Sequence, residues 1–207
     1  MDVMGLRRAI LQASEDVLLP SGYRRISYIE STEAQYIDTQ ITPTLNTKAH
    51  IVFCPTIMSN GIGYFGSRND PLRFCCTTFS SGAQIGLNVS SNTWTSNRVP
   101  LILNTLYDCE IENGRSRINS NIFSETPLTS DKWSYGVGRF VLAAKDAYNR
   151  VQNTSAKWYL CEMWENGSMI LKLIPCIRIS DNKPGMYDLV NDTLYTNAGS
   201  GEFVVPS

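Results

Sequence analysis

Histidine is nearly absent from this chain: His50 is the only one in 207 residues. Any site built on two or more imidazoles is therefore excluded, which removes most catalytic zinc centres. A serine or cysteine hydrolase would have to use His50 as its base. That residue sits in KAHIVF among apolar neighbours and reads as a buried or half-buried strand histidine. Charge is scarce too. Charged residues make up 18% of the chain, where roughly 25% is usual. Their balance leaves a formal net charge of -1, which argues against a basic nucleic-acid groove or a polybasic membrane patch. No GxSxG occurs, and no glycine-rich loop leads from a strand into a helix, so nucleotide-cofactor enzymes are not expected. No apolar run approaches the roughly 20 residues of a spanning helix. The N-terminus, MDVMGLRRAILQASEDVLLP, lacks the uninterrupted apolar core of a secretory signal. The expectation is a soluble chain without membrane insertion, made in the cytoplasm.

Metal-binding cysteine spacing is missing as well. Cys54, Cys75, Cys76, Cys109, Cys161 and Cys176 contain no CxxC pair, so neither zinc nor an iron-sulfur cluster is indicated. Most lie in apolar contexts such as IVFC, RFCC and KLIPC, where a reduced cysteine acts as a small hydrophobe. Their even number leaves disulfides open.

What the chain does have is neutral polar residues and β-pattern. Asn, Ser and Thr recur in runs such as NVSSNTWTSN, 88–97. A chain of this mass should bury roughly 70% of its unfolded surface, so it needs no metal or disulfide staple. Residues 1–19 read as an N-terminal arm, in which Leu6, Ala9, Ile10, Ala13 and Val17 recur at three- and four-residue steps. That spacing predicts a short amphipathic helix over 5–17, marginal unless it packs on something. From Tyr23 onward the pattern is strand, broken by Gly, Pro, Asn and Ser clusters. Asn113-Gly114 and Asn166-Gly167 are two-residue hairpin signals, and a further small hairpin is expected across Asn191-Asp192. Many short strands with no second helical segment predict an all-β protein: an antiparallel β-sandwich or jelly roll over 20–207. Tyr36, Ile37, Tyr187, Leu189, Tyr195 and Phe203 are the expected core seam where the two ends meet. Trp133, Trp158 and Trp164 lie in strand-like patterns and are expected in the core.

Two stretches sharpen this. LPSGYRRISYIESTEAQYIDTQITPTLNTK and IPCIRISDNKPGMYDLVNDTLYTNAGSGEF resemble the ends of a concanavalin A-like, laminin G-like jelly-roll module. YFGSR, WSYGVGRF and KWYLCEMWENG fit its middle, so the resemblance runs from about Leu19 to Phe203. Such modules are common in phage tail-associated proteins and surface proteins of gut bacteria. The resemblance implies the fold above and a recognition or structural role.

Three readings of function follow. The leading one is a non-catalytic module that binds glycan, assembled into a virion or surface structure. Sugars are held by aromatic faces flanked by planar hydrogen-bonding groups, and Trp94 in its polar run is the tryptophan least expected in the core. Arg68, Asn69, Asp70, Asn92, Trp94 and Asn97 are the candidate ligand-binding residues. The second reading is a glycoside hydrolase or lyase. Asp108, Glu110 and Glu112 fall at two-residue steps on one strand face, and retaining hydrolysis needs two carboxyls about 5–5.5 Å apart. The row runs directly into the Asn113-Gly114 turn, so a solvated strand face is the expectation. The third reading is a structural subunit whose partners are other protein chains, with a homo-oligomer through the N-terminal arm as one form. No cofactor is expected. Calcium is left open because Asp181, Asn182, Asp188, Asn191 and Asp192 cluster in sequence, although without the spacing of a calcium loop.

Overall fold

The computed structural model of the chain describes residues 18–32, 34–59, 61–69, 72–91, 97–133, 139–142 and 154–206. The expected helix over 5–17 lies outside them, as do Asp70, Asn92 and Trp94. The described residues form two packed antiparallel sheets, the sandwich that the strand pattern predicts. Their helical content is a 3-10 turn at Ser80–Gly82 and one short helical segment at Ser130–Trp133.

The strands, in chain order, are β1 (Tyr23–Arg25), β2 (Ile29–Ser31), β3 (Ile37–Asp38), β4 (Thr47–Pro55), β5 (Gly63–Asn69), β6 (Leu72–Phe79), β7 (Gln84–Ser91) and β8 (Arg98–Pro100). There follow β9 (Tyr107–Glu112), β10 (Arg115–Ile118), β11 (Asn121–Ser124), β12 (Val141–Leu142), β13 (Ala156–Glu165), β14 (Ser168–Arg178), β15 (Lys183–Asp188) and β16 (Thr193–Thr196). The larger sheet runs β11-β10-β9-β4-β13-β14-β15-β16, with β1 added on β14 and β2 on β13. The smaller runs β3-β12-β5-β6-β7-β8. Neighbours in space are thus often distant in sequence: β4 lies between β9 and β13.

Alternation along each strand builds the core between the sheets. Ala49, Ile51 and Phe53 from β4, Cys109 and Ile111 from β9, and Leu72, Phe74 and Cys76 from β6 all point into it. Phe53 is its aromatic hub, stacked on Trp158 at 5.5 Å and edge-on to Phe65 of the opposite sheet at 5.7 Å. At Gly66, with φ 120°, an added Cβ would collide with the Phe74 carbonyl oxygen and the Cys75 backbone. Only glycine lets β5 and β6 approach this closely.

The two ends of the chain close on each other. Tyr23 opposes Arg178 across β1 and β14, Glu30 and Val204 exchange backbone hydrogen bonds, and the Tyr36 N–H donates to Asn197 Oδ1 at 3.0 Å. Tyr36, Ile37 and Phe203 are buried in the main core and Tyr195 packs against it, as expected of the seam. Tyr187 and Leu189 are not part of it. They belong to a second apolar cluster with Ile174 and Cys176, because Met186 takes the inward position on β15 and its neighbour must face away.

Candidate functional site

The acidic row stands where alternation puts it, on the outer face of the larger sheet, and every member meets a cation. With Cys109 and Ile111 inside, Asp108, Glu110 and Glu112 face outward from β9. Registers place Arg117 opposite Glu110, Glu110 opposite His50, His50 opposite Glu162, and Glu162 opposite Lys172. Read from β10 to β14, the charges alternate plus, minus, plus, minus, plus across five strands. Cross-strand pairs of opposite sign are the favourable arrangement for such a face.

His50 is the centre of this ladder. Its Nδ1 lies 3.0 Å from Glu162 Oε2 and its Nε2 2.9 Å from Asp108 Oδ1. Burial alone would push the imidazole down, but the two carboxylates outweigh it and raise His50 to about 9. The ring is then a cation donating at both nitrogens. Arg117 closes the other side. Its Nη2 donates to Asp108 Oδ1 at 2.8 Å and Glu110 Oε1 at 2.6 Å, while Nη1 donates to the Asn119 carbonyl at 2.9 Å. Lys48 reaches Glu110 Oε2 at 2.9 Å, and Lys172 reaches Glu162 Oε1 at 2.9 Å.

Burial grades the row. The Asp108 side chain is 10% exposed, Glu110 26% and Glu112 36%. The expectation of a uniformly solvated face therefore fails at Asp108, which His50 and Arg117 shield. Burial works to raise each carboxyl, but His50 and Arg117 hold Asp108 below the ordinary carboxylate range, and Arg117 and Lys48 do the same for Glu110. His50 and Lys172 lower Glu162 likewise. A glycosidase acid needs the opposite, a carboxyl kept protonated near neutral pH.

Of the expected ligand-binding residues, Arg68 and Asn69 lie together at the end of β5. Leu72, which opens β6, pairs with Ser91 at the end of β7 on that same end of the smaller sheet. Asn97 is taken elsewhere: its side-chain amide donates to Glu125 Oε1 at 2.7 Å, the same oxygen that accepts from Ser116 at 3.1 Å. The face beneath Arg68 is polar. Arg73, Cys75 and Thr77 alternate with the inward Leu72, Phe74 and Cys76, and Asn88 stands opposite Cys75. All four are buried. Period two on RFCCTT places Arg73, Cys75 and Thr77 on one face, a signal passed over when the run is read only as an apolar setting for its cysteines.

The acidic residues weighed for calcium are not brought together. Asp181 lies before β15 and pairs with Arg178 at 2.7 Å, whereas Asp188 ends that strand. Asp188 is fully buried and accepts from the Lys172 and Val190 backbone N–H groups and from Asn191 Nδ2. Among the described residues no group of three or more His, Cys, Asp or Glu side chains is arranged to hold a metal ion. Trp133 and Trp158 are buried in the core. Trp164 is not; it lies on the outer face under the Lys48 ammonium, 5.5 Å from its ring centroid.

With that geometry in hand, comparison with known proteins adds no relative: no family model, curated protein or solved structure matches the chain.

Proposed function

We propose that the chain is a non-catalytic recognition module of the concanavalin A-like, laminin G-like kind, with glycan as its ligand class, carried in a phage-tail or bacterial-surface assembly. The observation that carries the non-catalytic part is the charge ladder. The carboxyls that could have done acid-base work are neutralised by Arg117, Lys48, His50 and Lys172 and held ionised. A sugar-cleaving site needs one carboxyl free to keep its proton. The glycan part rests on the resemblance at the two chain ends and on the polar floor of the smaller sheet, with Arg68 and Asn69 at its rim. Fold alone does not select a ligand, since one architecture hosts many functions.

A glycan array probed with the wild-type chain, R68A/N69A and E110Q tests both parts. Wild type and E110Q are expected to bind the same glycans, and R68A/N69A to lose at least tenfold in affinity. Silence across the array would favour a structural subunit whose partners are proteins. Reducing-end release from a polysaccharide panel, lost in E110Q, would overturn the non-catalytic reading in favour of a glycoside hydrolase.

A further inference from the structure

Asn113-Gly114 and Asn166-Gly167 both join two strands, and the fold treats their side chains in opposite ways. In any Asn-Gly pair the side-chain amide carbon is one ring closure away from the glycine nitrogen, and glycine has no Cβ to obstruct the approach. Whether the ring can close depends on what holds the asparagine.

Asn113 is held. Its side-chain oxygen accepts from the Leu128 N–H at 2.8 Å, and its amide donates to the Leu128 carbonyl at 3.0 Å. Pro127 packs over the next residue: a Cβ added at Gly114 would stand 2.7 Å from the proline Cγ. Asn166 has no such restraint. Asn166, Gly167 and Ser168 are all exposed, and a Cβ added at Gly167 would meet nothing within 4 Å. Among the described residues no hydrogen bond engages the Asn166 side chain or the Gly167 N–H. Asn60, in a third pair with Gly61, lies outside the described residues.

We propose that Asn166 is a site of spontaneous modification in the folded protein, converting to aspartate and isoaspartate while Asn113 stays intact. Water is the co-reactant and hydroxide the base. The Gly167 nitrogen gives up its proton and bonds to Asn166 Cγ. The Cγ–Nδ2 bond breaks, and the amide nitrogen leaves as ammonia with a proton regained from water. Water then opens the cyclic imide. Opening at Cγ gives aspartate; opening at the backbone carbonyl gives isoaspartate.

The two products act differently on the hairpin. Aspartate tolerates the left-handed conformation that residue 166 holds, at φ 51°. The turn then survives with a new charge beside Glu165. Isoaspartate routes the main chain through the side chain and lengthens it by one carbon. A two-residue loop has a fixed geometry, so the Glu165–Ser168 pairing that it closes loosens first. The tie to the turn before β4 loosens with it. Glu165 accepts from the Thr44 and Thr47 hydroxyls at 2.5 and 2.6 Å, and the Asn166 N–H donates to the Asn46 carbonyl at 3.3 Å.

The experiment ages the folded protein in mildly alkaline buffer beside the same chain in urea, which serves as the clock. Peptide mapping is read once most Asn113 and Asn166 in urea has converted, and electron-transfer fragmentation tells isoaspartate from aspartate. In urea the two sites should convert at matching rates. In the folded protein Asn113 should convert at least tenfold more slowly than Asn166, because two hydrogen bonds and a packed proline must give way first. The isoaspartate-bearing fraction, separated by ion exchange, should unfold at lower denaturant concentration than fresh protein, whereas Asn166→Asp should stay close to it. Matching behaviour of the two sites in the folded protein, both converting or neither, would overturn the proposal. So would an isoaspartate-bearing fraction that unfolds with fresh protein.

Discussion

The outer face of the larger sheet has two halves that solve burial differently. Toward β10, β9 and β4 it is a lattice of alternating charges in which polar groups satisfy one another. Toward β14 and β15 it is an apolar cluster, with Ile174, Cys176 and Tyr187 under Leu19, Tyr23, Leu160 and Leu194. Tyr23 and Tyr187 rings lie 4.6 Å apart there. The apolar half gains from area removed from water, which is indifferent to salt and pH. The charged half gains only if every partner is present, because a partly desolvated ion left alone costs more than its pair returned. Similar burial thus makes two kinds of stability, one tolerant of conditions and the other conditional.

Breaking each half separately is the most direct way to test the contrast. Ile174→Ala should cost about 3–4 kcal/mol, as truncation of a buried isoleucine does, and the loss should be the same at low and high salt. Asp108→Ala should cost about 2–3 kcal/mol, since it leaves His50 and Arg117 with one carboxylate each, Glu162 and Glu110, in a partly desolvated site. Its loss should shrink as salt rises, because the cations left short of a partner are partly exposed and screened. Denaturant unfolding of both variants at two ionic strengths reads this. Equal salt dependence in the two would show that the halves are not distinct.

A pH titration sharpens the same comparison. His50 is raised from 6.5 in the unfolded chain to about 9 in the folded one. The folded state thus binds the extra proton, and the stability it contributes is fully present below about 6.5. It is lost as pH climbs through 9. The opposite limit comes from Asp108, Glu110 and Glu162, whose lowered carboxyls contribute above their unfolded values and fail as pH falls below the carboxylate range. The wild type should therefore lose on the order of 2 kcal/mol between pH 6 and pH 10 through His50 alone, after discounting for the solvent that reaches the ring. His50→Gln should flatten that slope, whereas Ile174→Ala should run parallel to wild type.

Much of this was legible in the sequence, and the failures have physical causes. Period two on YDCEIE put Cys109 and Ile111 inside and the acids outside, as observed. The Asn166-Gly167 turn takes positive φ at both residues, 51° and 78°. Asn113-Gly114 also joins two strands, yet only Gly114 turns positive, at 85°. Asn113 instead uses its side chain to bind the Leu128 backbone N–H and carbonyl. Trp164 is the clearest miss. It is six residues from Trp158, so strict alternation puts both indoles on one face. The β4–β13 register shifts between Trp158 and Leu160, and such an irregularity reverses the parity of everything after it. The ladder was hidden for a different reason. Strands β10 and β4 each show one sign at two-residue steps (Arg115 and Arg117, Lys48 and His50), and the two Asn-Gly hairpins join β10 to β9 and β13 to β14. The central joins, β9 to β4 and β4 to β13, link segments more than fifty residues apart. Local patterning carries no information on those two joins.

Glu112 supplies the smallest expected effect and the finest test of why the halves differ. It carries the same charge as Asp108, on the same strand face, four residues along. Only its surroundings differ: its side chain is 36% exposed and its ion pair, to Arg115, is long at 3.8 Å. Exposed pairs of this kind contribute between nothing and about 1 kcal/mol, and surface substitutions usually stay within about 0.5 kcal/mol. Glu112→Gln should therefore shift stability by no more than about 0.5 kcal/mol and leave the pH profile set by His50 unchanged. Glu110→Gln should fall between it and Asp108→Ala, because Glu110 is shared by Arg117 and Lys48 at an intermediate depth. Unfolding free energies of the three variants, measured side by side, should rank with burial along the strand. A cost at Glu112 equal to that at Asp108 would mean that the number of charges on β9, rather than their depth and partners, sets the stability of this face.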